Sequence, residues 1–392
     1  MDPGTHIIDP DGEVMIVLQN ANAPFAQPDE ATLKGEDSDV LDSGRTGGQD
    51  ALPKQFALKV EAKAAGAGAG VAQPVAQRAA PSNRERSKEP QPSPAAVKDR
   101  ADSNPNSTTH RIQVSAKHLT LASPYFKNVL TGGWKESRTF PEKGFAEITA
   151  DGWNLDAFLI LLRAIHSQNH LIPERLDLET LAQVALIADY YDCKDVIYVW
   201  GRTVWLKAIQ RDSLDMYSRE LVLSLWISWF FRDAELFTCF TSCAMSTSRG
   251  RISVLGLPVP IIVVLALNKR RETRITSLFS RHLEGKREQL LAGKLGCGFE
   301  CSSIMYGALT KEMQAAYLLS VPLLGSFQGR SYRGIVGKIR AFRSPKWQNS
   351  WGTTPGSEAW NSHHKCPGSS FSVLFGDLKG GIKGLVLATF LG

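Results

Sequence analysis

The residues whose types and spacing could most readily bind a metal ion are cysteines and histidines in the last third of the chain. Cys297 and Cys301 are separated by three residues, and His363, His364 and Cys366 follow about 60 residues later. Two thiolates with an imidazole and a third thiolate can hold Zn²⁺ in tetrahedral geometry. Because the second group falls in a Gly/Ser-rich segment far along the chain, we interpret these cysteines as thiols and predict neither a metal nor another cofactor. A zinc-stabilised structural domain is the alternative.

Sequence motifs of catalysis are missing. Gly66-Ala67-Gly68 does not continue into the G-x-G-x-x-G pattern of dinucleotide-binding proteins. The sequence has no P-loop, no H-E-x-x-H and no G-x-S-x-G motif. No nucleophile is paired in the sequence with the central histidines His110, His118, His166 and His170. We therefore predict that the chain is not an enzyme.

Basic side chains gather in two places. Four fall on one predicted helix (Lys269, Arg270, Arg271 and Arg274), and six fall in the acid-free stretch Met313 to Ser357: Arg330, Arg333, Lys338, Arg340, Arg343 and Lys346. Phe342 and Trp347 are interleaved with the second group and could stack on bases. The net charge of the whole chain is only +6. A solvated tail is the favoured interpretation, and a nuclear nucleic-acid-associated regulator that uses this tail is the alternative function.

Length and composition indicate an intracellular protein with a sizeable core. The chain has 392 residues, of which 43% are hydrophobic, and this length is enough for about two domains. It begins without a basic and apolar leader, and its six cysteines are scattered, as expected for reduced thiols in the cytoplasm or nucleus. No apolar run reaches the roughly 18 to 20 residues of a spanning helix, so we expect no membrane association.

A low-complexity segment interrupts the N-terminal region. Residues 26–107 are rich in Ala, Gly, Pro, Ser and charge, and such a segment buries too little apolar surface to offset its ordering entropy. We predict a disordered insertion there, with a short strand at Phe56 to Val60. Further strands are predicted before and after it, at Glu13 to Leu18, Arg111 to Ser115 and Glu147 to Thr149.

Helical patterns dominate the remainder. Apolar residues recur at helical spacing from Leu155, from Leu178 and in the third stripe Val196, Val199, Trp200, Val204 and Leu206. Downstream we predict helices at Leu221 to Phe231, from Pro260 towards Gly293 and at Thr310 to Leu319. The fold class is therefore α+β: a small sheet capped by helices (residues 1–25 and 108–210), then an all-helical extension (211–325) and a poorly ordered, basic, Gly/Ser-rich tail (326–392).

Four segments, taken in order, resemble the BTB/POZ family, in particular the BTB proteins of filamentous fungi. Asp11-Gly12-Glu13-Val14 is similar to the opening of the family's first strand. Ile112 to Phe126, which ends in Ser123-Pro124-Tyr125-Phe126, is similar to its second strand and first helices. Leu130 to Ser137 continues that match, and Ala182 to Tyr191 is similar to a late helix with an alanine-and-leucine stripe.

The resemblance implies a protein-binding scaffold with two surfaces. One is a homodimer face on the early helices and the N-terminal strand, with the apolar side chains Leu119, Leu121, Tyr125, Phe126, Val129 and Leu130. For Leu119, Phe126 and Leu130, a place in the core is the alternative. The other surface is Trp134-Lys135-Glu136, similar to the hydrophobic-x-Glu element with which some BTB proteins engage a cullin scaffold, or else a solvated loop. We predict a docking or dimerisation module, with a cullin-type ubiquitin ligase adaptor as its most specific version.

Overall fold

A four-stranded sheet forms the base of the N-terminal region. The computed structural model describes residues 4–27, 109–131, 146–209, 215–319, 327–347 and 366–391. Within these ranges, the strands are β1 (Thr5–Ile7), β2 (Val14–Gln19), β3 (His110–Val114) and β4 (Ala146–Asp151). Their order is β1-β3-β2-β4, in which β2 pairs antiparallel with β3, and β1–β3 and β2–β4 are parallel.

The two sides of the low-complexity segment meet in this sheet, as the sequence predicts. Val14 pairs with Val114 and Leu18 with His110, although about 90 residues separate the strands along the chain. Gly12 is needed at the entry to β2, because a Cβ atom there would lie 2.5 Å from the carbonyl oxygen of Val114. Residues 28–108, which hold the predicted strand at Phe56 to Val60, lie outside the described ranges, so their predicted disorder stays a prediction.

In the described residues of the N-terminal domain, five α-helices share one core with the sheet. They are α1 (Ala116–Ala122), α2 (Pro124–Thr131), α3 (Leu155–Ile165), α4 (Leu178–Tyr190) and α5 (Lys194–Thr203). Side-chain caps start two of them: Asn154 accepts a hydrogen bond from the Ala157 amide, and Asp177 accepts one from the Thr180 amide.

The predicted buried stripe of α5 is wrong in one respect. Val199 is 65% exposed, and the helix instead buries Ile197 and Gly201. These two residues are four apart and share a face, and a glycine on that face lets a neighbouring aromatic ring approach the helix backbone. A pattern of large apolar side chains leaves glycine out, so it misses the face of α5 that carries Gly201.

The helical extension continues directly from this domain. Its helices are α6 (Arg219–Phe230), α7 (Ala234–Thr247), α8 (Ile261–Ser277), α9 (Gly285–Leu291), α10 (Phe299–Ala315), α11 (Tyr332–Arg340) and α12 (Phe371–Leu374). A π-helical segment, Leu278–Glu284, joins α8 to α9, so the helix opened by Pro260 runs on as predicted. None of the helices in the described ranges is long and apolar enough to cross a membrane.

Part of the tail is folded, and the prediction of poor order after residue 325 is wrong for residues 327–347 and 366–391. Helix α11 buries Ile335, Val336 and Ile339. The last segment lies against α7, whose hydroxyl groups bind its backbone: Thr241 Oγ1 accepts from the Leu385 amide at 2.9 Å, and Ser246 Oγ accepts from the Ile382 amide at 2.8 Å. Low-complexity composition predicts disorder, but hydroxyls on a neighbouring helix can satisfy such a backbone.

Candidate interaction surface

The extension covers one side of the N-terminal domain. Trp226 on α6 is buried, and its indole Nε1 donates a hydrogen bond to the carbonyl oxygen of Ala182 on α4 at 3.3 Å. Arg219 forms a bidentate ion pair with Glu179, with both N–O distances at 3.0 Å, and also donates to the carbonyl oxygen of Phe25. The α4 side of the domain is therefore occupied by the protein's own helices.

A second contact joins α5 to the end of α6. A Cβ atom at Gly201 would lie only 1.9 Å from Cε1 of the buried Phe231 ring, so this position accepts no larger residue without displacement. Next to it, Arg202 Nη1 donates to the carbonyl oxygens of Phe231 and Arg232 at 3.2 and 3.1 Å. The domain and the extension thus share one continuous core.

Helices α1 and α2 carry the predicted docking residues, and the structure divides these into two groups. Leu119, Phe126 and Leu130 are buried, so they belong to the core, which is the alternative that the sequence left open. Leu119, Phe126 and Leu130 are therefore removed from the predicted docking surface. Leu121 is 89% exposed, and Tyr125 and Val129 are half-buried. We call Leu121, Tyr125 and Val129 the α1–α2 face.

Phe126 is in the core because an aromatic cluster holds it there. Its ring stacks on Tyr191 with a centroid distance of 4.6 Å, and Tyr191 also accepts a hydrogen bond from the Trp153 indole at 3.0 Å. Ser123 caps α2 by accepting from the Phe126 amide and donates to the carbonyl oxygen of Tyr191. Complete burial raises the pKa of Tyr191 well above its ordinary value. These contacts fix α2 on the domain.

The first turn of α1 is anchored by two side chains from other elements. Glu13 Oε2 accepts a hydrogen bond from the Ala116 amide at 3.1 Å. His166 Nε2 accepts one from the Ser115 amide at 2.9 Å, so the ring proton resides on Nδ1, which donates to the carbonyl oxygen of Leu162 at 2.8 Å. Burial lowers the pKa of His166, which favours this neutral form. The helix that presents Leu121 is therefore held rigidly.

Strand β1 lies at one edge of the sheet and adds an exposed apolar side chain. Ile7 is 45% exposed, and on one side β1 pairs with β3. Edge strands are natural places for a second chain to associate. Trp134, Lys135 and Glu136, the predicted cullin-binding element, lie outside the described residues.

The basic tail is largely engaged within the chain. Five of the six basic side chains in the stretch Met313 to Ser357 contact carbonyl or carboxylate oxygens of other segments: Arg330, Arg333, Lys338, Arg340 and Arg343. Phe342 is buried, and the indole of Trp347 donates to the carbonyl oxygen of Ser369 at 3.0 Å. The buried Phe342 ring cannot stack on a base, and most of the basic groups are already bound within the chain, so the tail's geometry gives no support to the nucleic-acid alternative.

Three cysteines that the sequence analysis interprets as ordinary thiols lie close together in the structure. The sulfur atoms of Cys297, Cys301 and Cys366 all lie within 4.8 Å of one another. The separation of Cys366 from Cys297 and Cys301 along the chain favours ordinary thiols. The structure removes that argument, because the segment around Cys366 folds back onto the start of α10. His363 and His364 lie outside the described residues.

Comparison with known proteins agrees with this architecture. Residues 106–201 match the family model of the BTB/POZ domain, a span that runs from just before β3 into α5. Strands β1 and β2 precede the matched span, yet they complete its sheet through their pairing with β3 and β4. No curated protein was found to match the chain. The chain therefore contains a BTB/POZ domain, and with it a protein–protein interaction module.

Proposed function

We propose that the protein acts by presenting docking surfaces rather than by catalysis, and that it forms a homodimer through the α1–α2 face and β1. The observation that carries the proposal is Leu121, an almost fully exposed leucine on a helix whose first turn is fixed by Glu13 and His166. A single exposed leucine is common on protein surfaces. Here it lies on the same domain as the exposed Ile7 at the sheet edge, while α6 already covers the α4 side.

A two-fold arrangement suits this surface. In an isologous dimer the same patch contributes twice, so each apolar side chain is buried in two copies. Burying one leucine side chain contributes about 1.5–3 kcal/mol. A rigid helix also loses little conformational freedom on association, which leaves more of that energy for binding.

Replacing Leu121 by glutamate is the test of the dimer. A charge placed in an apolar interface removes the leucine contribution in both copies, so the dimer dissociation constant should rise at least about tenfold. The measurement is sedimentation equilibrium of the full chain over a range of concentrations. The matched control is Leu265→Glu, which places the same charge at an exposed leucine of α8 in the extension. A monomeric wild type, or equal dissociation constants for Leu121→Glu and wild type, contradicts the proposal.

The more specific version of the function is an adaptor for a cullin-type ubiquitin ligase. It is supported by the position of Trp134 and Glu136, which follow the end of α2 at Thr131 by only a few residues. A bulky aromatic anchor beside a charge is a common composition for an interaction hot spot.

Co-purification tests the adaptor version. We expect full-length wild type to recover a cullin, and Trp134→Ala combined with Glu136→Ala to lose at least about tenfold of that recovery, because hot-spot residues contribute upwards of about 2 kcal/mol each. Lys135→Ala is the matched control, since it alters the same segment outside the hydrophobic-x-Glu pair. Equal recovery of cullin with the double variant, or no recovery with wild type, contradicts the adaptor proposal. Neither result bears on the proposed homodimer.

A further inference from the structure

Three cysteines from two distant segments meet beside the start of α10. Cys297 lies in the bend that precedes the helix, Cys301 in its first turn, and Cys366 directly before the short 3-10 helix Pro367–Ser369. Their sulfur atoms lie within 4.8 Å of one another, and all three are thiols in this structure. Cys301 is buried, Cys366 is half-buried and Cys297 is exposed, so the cluster has an inner end and an outer end.

Two glycines allow the segments to approach this closely. Gly296 has a φ of +93°, and a Cβ atom there would lie 3.2 Å from Cys301 Sγ and 3.0 Å from the Ser302 amide nitrogen. Gly368 faces it, since a Cβ on Gly368 would lie 2.9 Å from the Gly296 amide nitrogen. A side chain at either position would push the two backbones apart and separate the sulfur atoms. The convergence is therefore built into the backbone.

We propose that Cys297, Cys301 and Cys366 bind one Zn²⁺ ion through their three sulfur atoms, with the fourth coordination position open to water on the exposed side. Zinc–thiolate bonds of about 2.3 Å place tetrahedral sulfur atoms about 3.8 Å apart, so the observed cluster needs only a small contraction. The C-x₃-C spacing of the first pair falls within the range of zinc sites. Binding displaces one proton from each thiol.

Burial raises the pKa of the Cys301 thiol, so a thiolate at this position depends on the bound cation and on the helix that starts beside it. Cys301 is the third residue of a 17-residue helix, where the unpaired amide groups and the positive end of the helix dipole favour negative charge. Three thiolates without a cation would repel each other, and a divalent ion removes that repulsion. Soft sulfur ligands select zinc over magnesium or calcium, which prefer oxygen.

The ion would tie the C-terminal segment to the extension. Residues 366–391 also rest on α7, through hydroxyl-to-backbone hydrogen bonds such as that between Thr241 and Leu385, and on the segment after α11, through the hydrogen bond from Trp347 to Ser369. A zinc bridge between Cys366 and α10 would fix the other end of that segment. We therefore expect zinc removal by a chelator to lower the thermal midpoint of the full chain by a few degrees.

Metal analysis of the reduced full chain tests the site. We expect about one zinc per chain in the wild type and less than about a tenth of that when Cys301→Ser and Cys366→Ser are combined, because two of the three ligands are lost. The matched control is Cys239→Ser combined with Cys243→Ser. This pair on α7 has the same spacing as Cys297 and Cys301 but lies outside the cluster, so the zinc content of this variant should equal that of the wild type.

Cobalt substitution provides a second readout that does not depend on the double variant folding. Cys297 is exposed, so Cys297→Ser should leave the fold intact. Titration of the reduced, zinc-free chain with Co²⁺ should give thiolate-to-cobalt absorption in the wild type and about two thirds of it in Cys297→Ser, since one of three sulfur ligands is lost. Absence of this absorption, an undiminished signal in Cys297→Ser, or a disulfide within the cluster in place of bound zinc overturns the proposal.

Discussion

Replacing Gly201 by alanine is expected to destabilise the full chain by roughly 1–3 kcal/mol, the usual cost of forcing an extra methyl group into a packed core. The methyl carbon would lie 1.9 Å from Cε1 and 2.4 Å from Cζ of Phe231. Phe231 cannot simply turn away, because it is fully buried and its ring packs edge-on against Phe230 at 4.8 Å. The substitution acts at the junction between the BTB/POZ domain and its extension.

The matched control is Gly307→Ala in the interior of α10, where a Cβ atom would meet nothing within 4 Å. The same substitution there should stabilise the chain by about 0.5–1 kcal/mol, because alanine is the better helix former. Urea unfolding of both variants measures the two free energies. Opposite signs are expected, and a neutral or stabilising Gly201→Ala would show that the junction is loosely packed.

A double variant locates the clash. Phe231→Leu alone should destabilise through lost packing, but in the Gly201→Ala background the smaller side chain should relieve the overlap. The two changes should therefore be less than additive, with a coupling of about 0.5–3 kcal/mol, as found for residues in direct contact. Additive free energies would indicate that alanine acts through another neighbour.

The sequence predicts the sheet and most helices because their signals are local. A compact apolar run marks β2, alternating apolar residues mark β3, and Asn154 and Asp177 occupy cap positions that their side chains fill. The pairing of β2 with β3 across the insertion follows from the BTB/POZ resemblance, since no local property of Val14 or Val114 names its partner. β1 is only three residues long and offers no pattern to detect.

The features that escaped prediction depend on distant neighbours. Leu119 is buried and Leu121 is exposed because of how α1 lies on the domain. The sequence does not distinguish them, since both are leucines in one short helix. The cluster of Cys297 and Cys366 forms because the last segment folds back, which its Gly/Ser-rich composition does not predict. The average composition of the tail hides the apolar residues that this segment buries, such as Phe371 and Ile382, and it does not show that hydroxyls of α7 bind the segment's backbone.

The second large effect is expected at Arg271, a charged side chain on α8 that is only 1% exposed. Its guanidinium donates to the carbonyl oxygens of Ser248, Phe327 and Arg330, at 3.4, 3.3 and 2.8 Å. These carbonyls belong to the end of α7 and to the turn before α11, so one side chain joins three segments. Burial lowers the pKa of Arg271 to about 10, which leaves the group charged at neutral pH.

Arg271→Met should destabilise the chain by about 2–4 kcal/mol, because methionine fills much of the space but leaves three carbonyl oxygens, two of them in buried contacts, without this donor. Arg271→Lys keeps the charge and should still destabilise, since one ammonium group cannot reproduce the planar fork of guanidinium donors. Arg274→Met, the same change at an exposed position of the same helix, should stay within about 0.5 kcal/mol of the wild type. Urea unfolding measures the free energy of unfolding of the three variants and so ranks their stabilities.

If Arg271 acted only through its charge, the expected result would differ: Arg271→Lys would have the stability of the wild type, and only Arg271→Met would be destabilised. The geometry argues against it, because the three carbonyls approach the guanidinium from separate segments and require donors in several directions. If lysine is fully tolerated, the link between α7, α8 and the turn before α11 is electrostatic, and the folded part of the tail is held mainly by its apolar face on α11. If lysine behaves like methionine, the position of the donors decides whether residues 327–347 fold onto the extension.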